Sequence, residues 1–153
     1  MDKPFQLRLQ PEAPDFAAED DLLETVRERL VSEYDATYPL PTEANRPVDW
    51  PSLADWQAEA FIDFVVSHRS VGETVFHSDF ARRRPLEGDA LLRLAAIIRA
   101  GQEAGAFGAV DPDPTARLLF TAIHEAANAV AGGADRAVIL AALQTLLRRA
   151  LAP

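Results

Sequence analysis

The chain has 153 residues, 48% of them hydrophobic, which suits one domain with a substantial core and leaves no need for a second. Its 24 acidic residues against 15 basic ones give a formal net charge of -9, a surface that repels phosphate backbones and argues against nonspecific nucleic-acid binding. The lack of cysteine removes disulfides, thiolate metal sites and cysteine nucleophiles, and no stretch approaches the roughly 18 apolar residues of a membrane span, so a cytoplasmic protein is expected.

Residues 1–15 contain FQLRLQ, in which Phe5, Leu7 and Leu9 alternate with polar residues as in a half-buried strand, until Pro11 and Pro14 stop any ladder or helix. This segment reads as an arm laid on the domain or on a partner subunit, or as a frayed tail; it has no signal-peptide core. The first helix is expected from about Ala18 to Tyr38, with Leu23, Val26, Leu30 and Tyr34 on one face and Pro39 and Pro41 closing it. A proline-bearing loop to Asp49 follows, and Pro51, with its fixed φ, suits the first turn of a second helix that runs to about His68. A short helical piece, Val71 to Asp79, leads to a loop carrying Arg82 to Arg84, the one basic cluster, which reads as a solvated turn or a contact for an acidic ligand.

The third helix covers about Leu86 to Ala106 and stops between Gly105 and Gly108, where glycine takes the left-handed cap geometry. Asp113 and Pro114 read as the cap and first turn of a fourth helix that ends at Gly132 and Gly133, and Asp135 opens a last helix to about Leu151. The fold class is therefore all-α, a bundle of five main helices and one short one.

The last two helices carry unusually wide apolar arcs. On a wheel, Leu118, Leu119, Phe120, Ala122, Ile123, Ala126, Ala127, Val130 and Ala131 leave only the stripe of Thr121, Glu125 and Asn128 polar. The final helix presents Ile139, Leu140, Ala142, Leu143, Leu146, Leu147 and Ala150. Either both helices are internal to a monomeric bundle or part of the arc faces a second copy. The second alternative predicts a homodimer through a four-helix bundle, with Leu119, Ile123, Ala126, Val130, Ile139, Leu143 and Leu146 at the interface.

Two stretches, FAAEDDLLETVRERL at Phe16 to Leu30 and IIRAGQEAGAF at Ile97 to Phe107, together with the order of the helices, resemble the sensor half of TetR-type transcriptional regulators from about Phe16 to Leu151. The resemblance implies a C-terminal ligand-binding and dimerisation domain over residues 16–153, dimerising through its last two helices and binding small, mostly apolar molecules. It departs from the family at the N-terminus, where residues 1–15 offer no helix-turn-helix, so no direct DNA binding is expected from this chain. An alternative is a helical interaction module that pairs with an intact regulator and takes no small-molecule ligand.

Polar residues on otherwise apolar faces mark the candidate pocket. On the second helix Asp55, Glu59 and Asp63 form a stripe expected in solvent, while Gln57, Phe61, Phe64 and His68 lie opposite. A buried polar group without a partner costs on the order of 1–3 kcal/mol, so Gln57 and His68 need one. Gln102 on the third helix and His124 on the fourth meet the same test. Each has an ordinary alternative, a glutamine bonded to a nearby carbonyl or a half-exposed histidine. Gathered on three helices among aromatics, Gln57, Phe61, Phe64, His68, Gln102 and His124 are the expected ligand-binding residues. No GxSxG elbow, phosphate loop or paired-histidine metal motif occurs, so neither catalysis, a metal nor a cofactor is expected.

Overall fold

Apolar side chains at three- and four-residue spacings along this chain form helices, and the computed structural model describes them over residues 16–40, 47–70 and 89–153. Among the described residues there are five main helices and no strand: α1 (Phe16–Thr37), α2 (Trp50–Ser67), α3 (Asp89–Glu103), α4 (Pro112–Ala131) and α5 (Arg136–Leu151). The expected arm, the short helix at 71–79 and the Arg82–Arg84 loop lie outside the described residues.

The ends of the helices follow from local chemistry. Asp49 caps α2, its Oδ1 accepting the Ser52 N–H at 3.2 Å and its Oδ2 the Ser52 hydroxyl at 2.8 Å, with Pro51 in the first turn. Those bonds hold the exposed Asp49 carboxyl below its ordinary range. Asp135 caps α5 in the same way through the Ala137 and Val138 amides. The start of α4 differs from the expectation. Its cap position is Asp111, followed by Pro112, two residues ahead of the second Asp-Pro pair, and the Asp113 carboxylate instead pairs with Arg99 of α3. Two consecutive Asp-Pro pairs carry equivalent cap signals, and the ion pair is tertiary information that a local pattern does not contain.

Helices α3 and α4 end alike. The Ala106 N–H bonds the Gly101 carbonyl and the Gly105 N–H that of Gln102, while Ala134 and Gly133 repeat the arrangement on Ala129 and Val130. Gly105 at φ 72 and Gly133 at φ 101 occupy the left-handed position that this closure needs.

Helix α4 touches α2, α3 and α5, and α2 also touches α3 and α5. Between them lies one core, in which Ile62 of α2, Leu94 and Ile98 of α3, Ile123 of α4, and Leu147 and Leu151 of α5 are sealed from solvent. A second, smaller cluster joins Leu30 and Tyr34 of α1 to Phe64 of α2. Polar clamps fix α5 on α2: Arg136 bonds Glu59 at 2.7 Å and both oxygens of Asp63 at 2.9 Å, and Arg148 reaches Asp55 Oδ2 with Nε at 3.0 Å and Nη2 at 2.6 Å. The acidic stripe of α2 is therefore not simply solvated, and Asp55 is only 6% exposed. The arginines of α5, Arg136 and Arg148, meet it from a neighbouring helix.

The burial of α4 and α5 corrects the expected interface. Leu119, Ile123 and Leu143 are core residues of the single chain and have almost no surface left for a second copy to cover. Ala126, Val130 and Ile139 are half-buried, and only Leu146 is well exposed. The exposed large apolar residues of this pair are Leu118 at 74%, Val138 at 64% and Leu146 at 47%. An arc spanning two thirds of a helix does not reveal which part of it the helix's own core takes.

Candidate functional site

Helices α1, α2 and α4 bring a chain of rings together. Tyr34 meets Phe64 edge to face with centroids 5.3 Å apart and Phe61 at 6.3 Å, and Phe61 in turn meets Phe120 at 5.0 Å and His124 at 5.6 Å. The His68 ring lies 4.2 Å from that of Phe64, while Tyr38 extends the row to Trp56 at 6.5 Å. Five of the six expected ligand residues, Gln57, Phe61, Phe64, His68 and His124, thus belong to one neighbourhood.

The sixth does not. Gln102 donates from Nε2 to the carbonyls of Gly108 and Val110, both at 2.8 Å, and so ties the loop after α3 to the helix that precedes it. This is the ordinary alternative for an inward glutamine, realised through a loop that folds back within eight residues. Gly101 serves the same closure, because the Phe107 ring lies where a side chain at Gly101 would stand. The IIRAGQEAGAF stretch therefore encodes a latch.

Within the ring cluster the polar atoms have unequal fates. His68 is satisfied at both nitrogens, Nδ1 against the Phe64 carbonyl oxygen at 2.9 Å and Nε2 against Glu33 Oε1 at 3.0 Å. Gln57, 2% exposed, donates from Nε2 to the Tyr34 hydroxyl at 2.7 Å, but its Oε1 is buried without a hydrogen-bond partner. An acceptor left unmet in this way carries its desolvation cost uncompensated. Arg93 of α3 completes the surroundings: its guanidinium lies 5.4 Å from the Tyr34 ring centre, donates to the Tyr38 carbonyl at 2.9 Å and pairs with Asp35 at 2.5 Å.

Tyr34, Glu33 and Arg93 were not singled out from sequence. Tyr34 reads as one more apolar-face residue of α1, and nothing local marks Arg93, because the contacts that define them span 23 and 58 positions. The sequence signal was weak but real: an aromatic with a hydroxyl on an apolar face implies a buried polar partner.

Burial, opposed by the Arg93 guanidinium, pushes the Tyr34 phenol up to about 12, and burial followed by the charge of Asp63 raises Tyr38 above its ordinary value of 10.0. These are the two tyrosines of the chain. A phenol whose folded value exceeds its unfolded one contributes stability that is complete below the unfolded value and is lost as pH rises through the folded value. Titration followed by phenolate absorbance is therefore expected to run above the ordinary tyrosine range in the native protein, and Tyr34→Phe is expected to remove the component near 12. A normal two-tyrosine step at 10 in folded protein contradicts this packing.

A cleft of about 420 Å³ lies elsewhere, between the start of α2, Phe107 and the end of α5, with Asp49, Asp55, Leu147 and Arg148 among its walls. None of the expected ligand residues lines it. Among the described residues no group of three or more histidine, aspartate or glutamate side chains is placed to hold a metal ion, and no helix is long and apolar enough to cross a membrane.

Comparison of the chain with protein-family models, with curated proteins and with solved structures found no match in any of the three.

Proposed function

We propose that this chain is a ligand-sensing and dimerisation domain of the kind found in TetR-like regulators, a homodimer whose ring cluster between α1, α2 and α4 receives a small, mostly apolar molecule carrying one hydrogen-bond donor. The observation that carries the reading is the unmet Gln57 Oε1, buried beside Tyr34, Phe61 and Phe64. A ligand donor satisfies it, and the surrounding rings supply apolar contact.

Ligand entry has a route to a structural output. The C-terminal half of α1 is held by Tyr34 on Gln57, Glu33 on His68 and Asp35 on Arg93. A molecule that engages Gln57 changes the first of these bonds and shifts the population between arrangements of α1, to the extent that it binds them unequally. The net charge of -9 supports a division of labour in which these residues sense and do not themselves read DNA.

Indole, a flat ring with one N–H, is a suitable probe. It is expected to raise the melting temperature, while N-methylindole, the same ring without the donor, binds about tenfold more weakly, as befits one hydrogen bond to a buried acceptor. Gln57→Leu is expected to abolish that difference. Equal binding of the two probes, or binding of neither, contradicts the proposal.

The exposed Leu118, Val138 and Leu146 also favour a second reading, an interaction module that pairs with a different helical protein and needs no ligand. Under that reading the chain alone stays monomeric and neither indole binds.

A further inference from the structure

We infer that α5 packs against α5 of a second copy, antiparallel, with the two-fold axis at Ala142. The inference rests on the homodimer reading above and specifies which surface meets which. Helix α5 turns Leu140, Leu143, Leu147 and Leu151 into its own core. Its opposite side leaves Val138, Ala141, Ala142, Thr145, Leu146 and Arg149 exposed. For a soluble subunit this side is unusually poor in charge along its middle, and a stripe repeating every three to four residues suits pairing with another helix.

The order of residues along that stripe is self-complementary. In an antiparallel pair centred on Ala142, positions equally far on either side face each other. Four residues away these are Val138 and Leu146, the exposed large apolar side chains of the helix. Seven residues away they are Asp135 and Arg149. Both separations return to nearly the same side of a helix with 3.6 residues per turn, so the apolar contacts and the charge contacts fall on one seam.

The charges distinguish this arrangement from a generic greasy patch. Arg136 and Arg148 are committed to α2 through Glu59, Asp63 and Asp55. Arg149 has no hydrogen-bond or ion-pair partner among the described residues. Asp135 uses Oδ1 for the Ala137 and Val138 amides, leaving its other oxygen free to meet a cation. The antiparallel seam brings the last turn of one α5, with its cation, beside the N-cap carboxylate of the other, and does so twice. A parallel pair places Arg149 beside Arg149 and is disfavoured by the same charges. At Ala142 itself the small side chain lets the helices approach at the axis.

The chain has no native cysteine, so single introduced thiols report the register cleanly. Ala142→Cys and Ala137→Cys are both at exposed positions, the second well around the helix from the seam. Treated with the short linker bis-maleimidoethane, A142C is expected to give a covalent dimer as the main product and A137C to stay monomeric. Arg149→Glu is expected to weaken association about three- to tenfold at low salt, with the loss shrinking at high salt. Covalent dimer from A142C together with the salt-dependent R149E effect supports the register. A wild type that sediments as a dimer while A142C fails to cross-link overturns the register and leaves the homodimer standing. A wild type that sediments as a monomer overturns both.

Discussion

Leu143→Asp is expected to abolish the folded state, whereas Leu146→Asp, three residues along the same helix, is expected to yield a folded monomer. Leu143 is buried in the core of its own chain beside Leu140 and Leu147, so an aspartate there puts a carboxylate among apolar side chains with nothing to pair it. The lost apolar contacts alone cost about 2–5 kcal/mol, and the buried charge adds to that, a sum comparable with the whole stability of a domain this size. Leu146 is exposed, and a charged replacement there costs the isolated subunit within about 0.5–1 kcal/mol. Under the proposed α5–α5 seam its effect falls on association, because Val138 of a second copy would face it. Circular dichroism and sedimentation of the two variants read the two outcomes separately. A folded, monomeric Leu143→Asp contradicts the core assignment, and a dimeric Leu146→Asp contradicts the interface.

Gly101→Ala is expected to destabilise the domain by about 2–3 kcal/mol, although alanine is the better helix former by about 1 kcal/mol. An added Cβ stands 2.2 Å from Phe107 Cδ2 and 2.4 Å from Cε2, distances at which the ring must leave. Phe107 is buried against the core, and the Ala106 and Phe107 amides both bond the Gly101 carbonyl, so moving the ring disturbs the cap of α3 as well. Gly105→Ala adds no clash and carries only the strain of a left-handed φ, about 1 kcal/mol. Chemical denaturation checks both, and Gly101→Ala as stable as the wild type contradicts the packing of Phe107.

The fold class was legible because amphipathic periodicity and helix ends are local. Asp49-Trp50-Pro51, the left-handed Gly105 and Gly133 and the Asp135 cap each carry their instruction within a few residues. The same locality misplaced the start of α4, where two Asp-Pro pairs compete and an ion pair to Arg99 occupies the second. Side-chain roles were legible only in part. An inward polar residue announces that it needs a partner without naming it: Gln102 finds backbone carbonyls six and eight residues on, His68 finds Glu33 on α1, and Gln57 finds Tyr34 but keeps one atom unmet. Asp55, Glu59 and Asp63 looked solvated because their arginines lie 73 to 93 positions away. The interface suffered from the same limit. A wheel finds Leu119, Ile123 and Leu143 as readily as Leu118 and Leu146, and only the neighbouring helices decide which of them the core takes; the exposed Val138 lay outside the expected arc.

In the proposed homodimer the outer side of the last two helices meets a second copy of the same chain. Sedimentation equilibrium of the wild-type protein tests it without any variant. A homodimer gives a particle of about twice the 16.7 kDa chain mass at micromolar concentration, falling to the single-chain mass on introduction of Leu146→Asp. A wild type that holds the mass of one chain across that range, folded and soluble with Leu118, Val138 and Leu146 in water, contradicts it.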